Sequence, residues 1–321
     1  MNFECITSLQ KCPDQPGWEE GVLDKIIIEA RVNELATRVG NPHVPFLPQE
    51  IIKDAKACYD AGAAVLHYHA RTADGAPDHS PEFYLEANAG IRAQSDLLIH
   101  PTLGYVANDA DARSRFAAVE AMMQSAETAP DFAPMDCGSV NVDWWNPEKG
   151  AYDTTDLIYK NSTATLMYFA ERIDHYGLKP YLVSWNISFT RQIEQFLKMG
   201  VLRGPAYVCF CMTDEIIFAG HPGTEAGLDA HTTFLPKDFE TVWTVVNYKG
   251  DLFQLTEKII RQGGHISIGL GDYAYMDGAR HMTNAEVIDK VVAQARSLGR
   301  EPASAAETRE ILQMPKVKVA A

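Results

Sequence analysis

The chain has 321 residues, with 43 Asp and Glu against 28 Lys and Arg, a formal net charge of −15. With 46% hydrophobic and 22% charged residues it can bury a sizeable core, which excludes disorder as its main state. The acidic balance argues against nucleic acid or an anionic membrane as partner, because both need a basic footprint. No apolar run reaches the roughly 18–20 residues of a membrane span. Met1 to Gln10 lacks a basic stretch followed by an apolar core, so a cytoplasmic protein is expected. The cysteines are scattered without a CxxC pair, which supports neither a zinc ribbon nor a redox motif.

Short branched apolar runs alternate with helix-period stretches. Ile26–Val32 reads as a first strand, followed by a helix over Pro48–Ala61 with Ile51, Ile52, Ala55 and Cys58 on one face and Gly62 as its stop. A second strand is predicted over Ala64–His69, a helix over Pro81–Ala93, and a third strand over Leu97–His100. Then come a helix over Asp109–Ala126, a weak fourth strand over Pro134–Val140 and a long helix over Thr155–Tyr176. Tyr181–Trp185, Ala206–Cys211, Thr241–Val246 and His265–Leu270 read as strands five to eight, with a final helix over Asn284–Leu298. Thr213–Lys237 is expected to be a long loop, and residues 1–24 an extension that precedes the barrel. Eight strands with intervening helices and no linker predict a single α/β domain, a TIM (β/α)8 barrel spanning 1–321. A doubly wound nucleotide-binding sheet is the rival, but no GxGxxG follows the first strand.

The sharpest local feature is His67-Tyr68-His69-Ala70-Arg71, at the end of the second strand. Residues two apart on a strand face one side, about 6.6 Å apart at a rise of about 3.3 Å per residue. Two inward imidazoles can therefore converge on one Zn²⁺, at the barrel end where catalytic groups gather. An amidohydrolase also places HxH on a barrel strand, but it needs further histidines where Asn186 and Met212 stand.

The surrounding sequence resembles the β-keto acid cleavage enzymes. The resemblance rests on Pro48-Gln49-Glu50-Ile51-Ile52, Asp60-Ala61-Gly62-Ala63-Ala64, the histidine run with Asp74-Gly75, and Gly263-Gly264-His265-Ile266. It continues through Gly269-Leu270-Gly271-Asp272, Thr283-Asn284-Ala285-Glu286 and Leu298-Gly299-Arg300-Glu301-Pro302-Ala303. It implies a zinc-dependent barrel, assembled as a homotetramer, that condenses a β-keto acid with acetyl-CoA or another acyl-CoA and releases acetoacetate and a new acyl-CoA. Asp272 stands at the family's general-base position.

Three positions depart from the family pattern. Gly271 stands where a third zinc ligand, a glutamate, is common; Ser267 replaces an arginine that supports the base; Pro101 replaces a serine. Two histidines still require a third protein ligand. If Arg31 and Asn33 point inward, alternation turns Glu29 inward too, which makes it the candidate, with Glu34 at the strand end as competitor. Asn33, Arg71, Thr102, Ser139 and Asn186 are candidates for binding substrate, and Trp144, Trp145 and Trp185 for walling a pocket. Asn247-Tyr248-Lys249-Gly250 is a weaker candidate for an anion contact. A lyase that acts without CoA and a degenerate barrel that only binds a keto acid are the alternative functions.

Overall fold

A computed structural model describes residues 25–103 and 111–319. Eight parallel strands form one near-closed barrel: β1 (Ile28–Arg31), β2 (Val65–Tyr68), β3 (Leu98–Pro101), β4 (Phe132–Asp136), β5 (Lys179–Ser184), β6 (Ala206–Thr213), β7 (Thr241–Tyr248) and β8 (His265–Ile268). They neighbour one another in chain order, and β8 pairs with β1 through Ser267 opposite Glu29. The seam lies between β3 and β4. There the Asp131 N–H donates to the Ile99 carbonyl at 2.9 Å, and the Asp131 carboxylate accepts from the Ile99 N–H at 2.7 Å. Arg92 and Arg309 both pair with that carboxylate, so two cations offset its burial.

Helices cover the outside: α1 (Pro48–Ala61), α2 (Pro81–Arg92), α3 (Ala112–Met122), α4 (Thr163–Tyr176), α5 (Ile187–Lys198), α6 (Glu225–Thr233), α7 (Phe253–Arg261), α8 (Asn284–Ser297) and the short α9 (Ala305–Ile311). Helix α1 begins at a proline, which gives up an N–H that would be unpaired there anyway. Its Glu50 carboxylate accepts from the Phe46 and Leu47 N–H groups. Gly62, at φ 109°, stops it, a conformation other residues seldom adopt. Among the described residues no helix is long and apolar enough to cross a membrane.

Several boundaries differ from expectation. The fourth strand ends at Asp136, and Val140–Asn141 instead pairs with Ile158–Tyr159 in a small ladder above the barrel. That ladder takes up the first residues expected in the fourth helix, which starts at Thr163 behind a Ser162 cap. The expected loop 213–237 contains α6. The third helix begins at Ala112 behind an Asp111 cap; residues 109–110 of the expected span, like residues 1–24, lie outside the described residues.

Candidate active site

The C-terminal ends of β1, β2 and β3 build a polar cluster in two levels. On the upper level, His67 and His69 turn their Nε2 atoms toward one carboxylate, that of Glu34, at 2.8 and 2.7 Å. The two histidines come from β2 and the residue just past it, as the HxH spacing requires. Glu34 arrives differently. Strand β1 ends at Arg31, and the chain turns at Glu34 with φ +33°, a region uncommon for a residue with a side chain. Such backbone persists where surrounding contacts impose it. Asn33 donates to the Pro45 and His69 carbonyls and accepts from the His69 N–H, tying this turn to the end of β2. The Arg71 guanidinium donates to the carbonyls of Asn33, Glu34, Ala36 and Gly75, clasping the same turn from its other side.

The protonation pattern fits this cluster to a cation. His67 Nδ1 lies 2.9 Å from the His100 carbonyl, which only accepts, so Nδ1 carries the hydrogen. Burial and the neighbouring Arg31 hold His67 well below the usual histidine range, and burial with Arg31 and Arg71 pulls His69 down to about 3. Both rings are therefore neutral at neutral pH. A neutral His67 must point the lone pair of Nε2 at a carboxylate oxygen 2.8 Å away. Two acceptors facing each other repel unless a cation lies between them. Neutral imidazoles, a carboxylate and a fixed tautomer are the donor set of a divalent metal, and the ligand atoms of Glu34, His67 and His69 all lie within 4.8 Å of one another.

Gly271 makes room for this arrangement. A Cβ there would lie 2.8 Å from the Glu34 nitrogen and 2.9 Å from its Cγ. Gly271→Ala is expected to push Glu34 off the histidines while leaving the barrel folded. The check is a fall in bound metal, by elemental analysis, with little change in melting temperature.

Glu29, the ligand candidate from alternation, faces inward but one level down. It lies opposite Val65, two residues below His67. Its carboxylate accepts from His100 Nδ1 at 2.7 Å and from the Tyr181 and Ser267 hydroxyls. Burial pushes its carboxyl up, but His100, Arg31 and His67 outweigh that and hold it at about 2. Glu29 thus groups with His67 and His100 and does not reach the pair His67 and His69.

Arg31 joins the levels. Its guanidinium pairs with Glu34, and its Nε donates to Asp272 Oδ1 at 3.2 Å. Asp272 itself is buried immediately behind Arg31 and does not line the cavity. Its second oxygen has no hydrogen-bond partner. Burial raises its carboxyl to about 6, with Arg31 pulling in the opposite direction.

A cavity of about 520 Å³ opens above the cluster. Thr102, Trp144 and Trp185 line it, whereas Trp145 packs on Tyr152 at 5.2 Å outside it. The other substrate-binding candidates have different partners. Asn33 and Arg71 hold the Glu34 turn; Ser139 accepts from the Asn161 N–H; Asn186 caps α5 by accepting from the Ser188 N–H. Lys249 adopts φ +65° and lies over the Tyr248 and Trp144 rings, and α7 starts beyond it, at Phe253, so Gly250 does not open a helix. Sequence reasoning missed His100, whose only signal was a histidine ending an apolar strand run, and Arg31's place between two carboxylates.

Comparison with known proteins bears on family and fold. A family model described as beta-keto acid cleavage enzyme matches residues 25–314. A 3-keto-5-aminohexanoate cleavage enzyme of Fusobacterium nucleatum is 27% identical over 298 residues, covering 92% of this chain and all of that protein. A 3-dehydrocarnitine:acetyl-CoA trimethylamine transferase of Rhizobium meliloti is 24% identical, covering 85% of this chain and 91% of its own. Among solved structures, the ternary complex of ObcA with a C4-CoA adduct and oxalate superposes with a TM-score of 0.68 at 15% identity. That match covers 85% of this chain and 68% of that one, a likeness of fold.

Proposed function

Because the chain belongs to the β-keto acid cleavage enzyme family, we propose that it exchanges acyl groups between a β-keto acid and an acyl-CoA, giving acetoacetate and a new acyl-CoA when acetyl-CoA is the partner. The observation that carries this reading is the convergence of Glu34, His67 and His69, with lone pairs facing one point, at the mouth end of the barrel. These three residues would hold the metal, Zn²⁺ by the nitrogen-rich donor set. Bound there, the ion would supply Lewis acidity toward the keto oxygen.

The rest falls to the protein's own groups. Asp272 lies buried behind the Arg31 guanidinium; with that guanidinium drawn toward the substrate's carboxylate, its unpaired Oδ2 comes within reach and removes a proton from the carbon between the keto and carboxylate groups. The carbanion attacks the thioester carbonyl of the acyl-CoA. Collapse of that adduct expels the CoA thiolate, which attacks the original keto carbonyl; cleavage of the bond from that carbonyl to the α-carbon releases the new acyl-CoA, and the acetoacetate carbanion takes its proton back from Asp272. Arg31 stabilises the carboxylate that does the work, and Thr102 supplies a hydroxyl in the cavity wall.

The test is acetoacetate formation from a panel of β-keto acids by the metal-loaded protein, with and without acetyl-CoA. Product that depends on acetyl-CoA is expected. Cleavage that proceeds equally without it defeats the transferase reading in favour of a lyase, and ligand-driven stabilisation without any turnover defeats both.

A further inference from the structure

The metal centre occupies the β1–β3 side of the cavity. The facing half, from β4 to β7, is lined by different chemistry, with Val142, Trp144, Leu157, Ile217 and Val246 among its residues. The segments that carry them brace one another. The Val142 N–H donates to the Leu157 carbonyl at 2.9 Å, and the Trp145 N–H to the Ile216 carbonyl at 2.9 Å. Three acids and one guanidinium also line the cavity, and each has its partners within the protein. Glu34 faces His67, His69 and Arg31, and Arg31 pairs with Glu34 and Asp272. Asp78 accepts from the Ser80 N–H at 2.8 Å and its hydroxyl at 2.9 Å. Asp136 accepts from the Trp185 indole N–H at 2.6 Å on one oxygen and from the Tyr159 hydroxyl at 2.7 Å on the other, so it fastens those two rings by their edges. Lys249 lies over the Trp144 ring and does not line the cavity. A charged group brought into this half loses its water and finds each lining acid and the guanidinium already engaged, which is costly. A hydrocarbon gains by the same burial.

We propose that the β4–β7 half of the cavity is a subsite for an uncharged alkyl tail, so that the preferred substrates are 3-oxo acids with an unbranched hydrocarbon chain. Selection comes from two sides. Burial rewards each added methylene, and a charge at the tail meets no group held in reserve for it. Such a tail differs from the amine-bearing substrates named for the two relatives above. The inference rests on the reading that the substrate's acid end lies at the metal centre, because that contact directs the tail toward β4–β7.

The test is calorimetric titration of the metal-loaded full-length protein with 3-hydroxy acids, which are unreactive because they lack the keto group. The series runs from 3-hydroxybutanoate to 3-hydroxyheptanoate, with two counterparts of the last whose terminal methyl is exchanged for an ammonium or a carboxylate. Affinity is expected to rise about fourfold per methylene, equivalent to about 0.8 kcal/mol. Both charged counterparts should bind no more tightly than 3-hydroxybutanoate. In Leu157→Ala the gain should fall to within about twofold per methylene, with 3-hydroxybutanoate unaffected. Ile217→Ala, in a different segment, carries the same expectation. A wall residue that only supported the fold would weaken every acid alike. A flat series, a gain that survives both substitutions in full, or tighter binding of either charged counterpart than of 3-hydroxyheptanoate overturns the subsite. Turnover of the matching 3-oxo acids with acetyl-CoA separates the two readings. A rising hydroxy-acid series without any acetoacetate leaves the subsite standing and removes the acyl exchange. Acetoacetate that depends on acetyl-CoA, together with a flat series, does the reverse. If no acid binds and none is turned over, both fall.

Discussion

Glu34→Ala is expected to leave a folded barrel that retains little metal at concentrations that saturate the unaltered protein. Removing partners one shell out from a metal commonly lowers affinity about 10–100-fold, and deleting one of three protein ligands should do at least as much. Turnover should fall in step with metal content, because the remaining His67 and His69 cannot complete the site. The control is Glu29→Gln. Glu29 is bonded by His100, Tyr181 and Ser267 and does not approach His69. Glu29→Gln should therefore lower the melting temperature, because His100, Tyr181 and Ser267 lose the carboxylate that accepts from all three, while the metal stays bound. The assignment fails if Glu29→Gln empties the site and Glu34→Ala does not.

The second large effect concerns proton transfer. Asp272→Asn is expected to lower kcat about 10²–10⁴-fold with the metal retained, the usual range for loss of a general base. The carboxylate works only when ionised, and burial has raised it to about 6. kcat/KM for the unaltered protein should therefore be full above that pH and decline as the pH drops through about 6. Arg31 lowers the Asp272 carboxyl, so removing the guanidinium must raise it further. Arg31→Met should shift the acid limb upward by about one unit or more, the usual effect of an adjacent opposite charge. The profile must be recorded at saturating metal, because Arg31 also pairs with Glu34. A limb that does not move, or an Asp272→Asn variant with near-normal kcat, places the base elsewhere.

Much of the fold was legible because its signals are local. Helix α1 was bounded correctly by Pro48 and Gly62, and α8 was expected from Asn284, where the structure begins it behind a Thr283–Glu286 capping box. The strands were found as branched apolar runs, since parallel strands buried on both faces leave no alternation to misread. What escaped had ambiguous ends. Helix α5 follows the strand-like run Tyr181–Trp185 directly, and its cap, Asn186, read equally well as a pocket residue. Helix α7 has Leu252 at its cap position with no side-chain hydrogen bond, and it is Asp251, one residue earlier, that accepts from the Phe253 N–H.

The site shows where periodicity stops informing. Alternation placed Glu29 inward, and it is fully buried there. But alternation fixes which side a residue faces and leaves its depth open, and two residues along β1 separate the levels by about 6.6 Å. Glu34 lies beyond the strand, where the +33° turn breaks the period that was being extrapolated. The same turn explains why Gly271 and Ser267 are tolerated on β8 and just beyond. The carboxylate and the guanidinium that meet the histidines and Asp272 both come from the β1 side, and a larger residue at 271 would collide with Glu34.

The barrel seam has a consequence of its own. Its two edge strands are joined at Asp131, and one of the two arginines that hold that residue, Arg309, belongs to α9 near the end of the described chain. During synthesis, β1 to β4 emerge long before that arginine does. Of the two cations on that carboxylate, Arg92 is therefore available as soon as β4 has been made, whereas Arg309 joins only with α9, so the seam is braced from widely separated parts of the described chain.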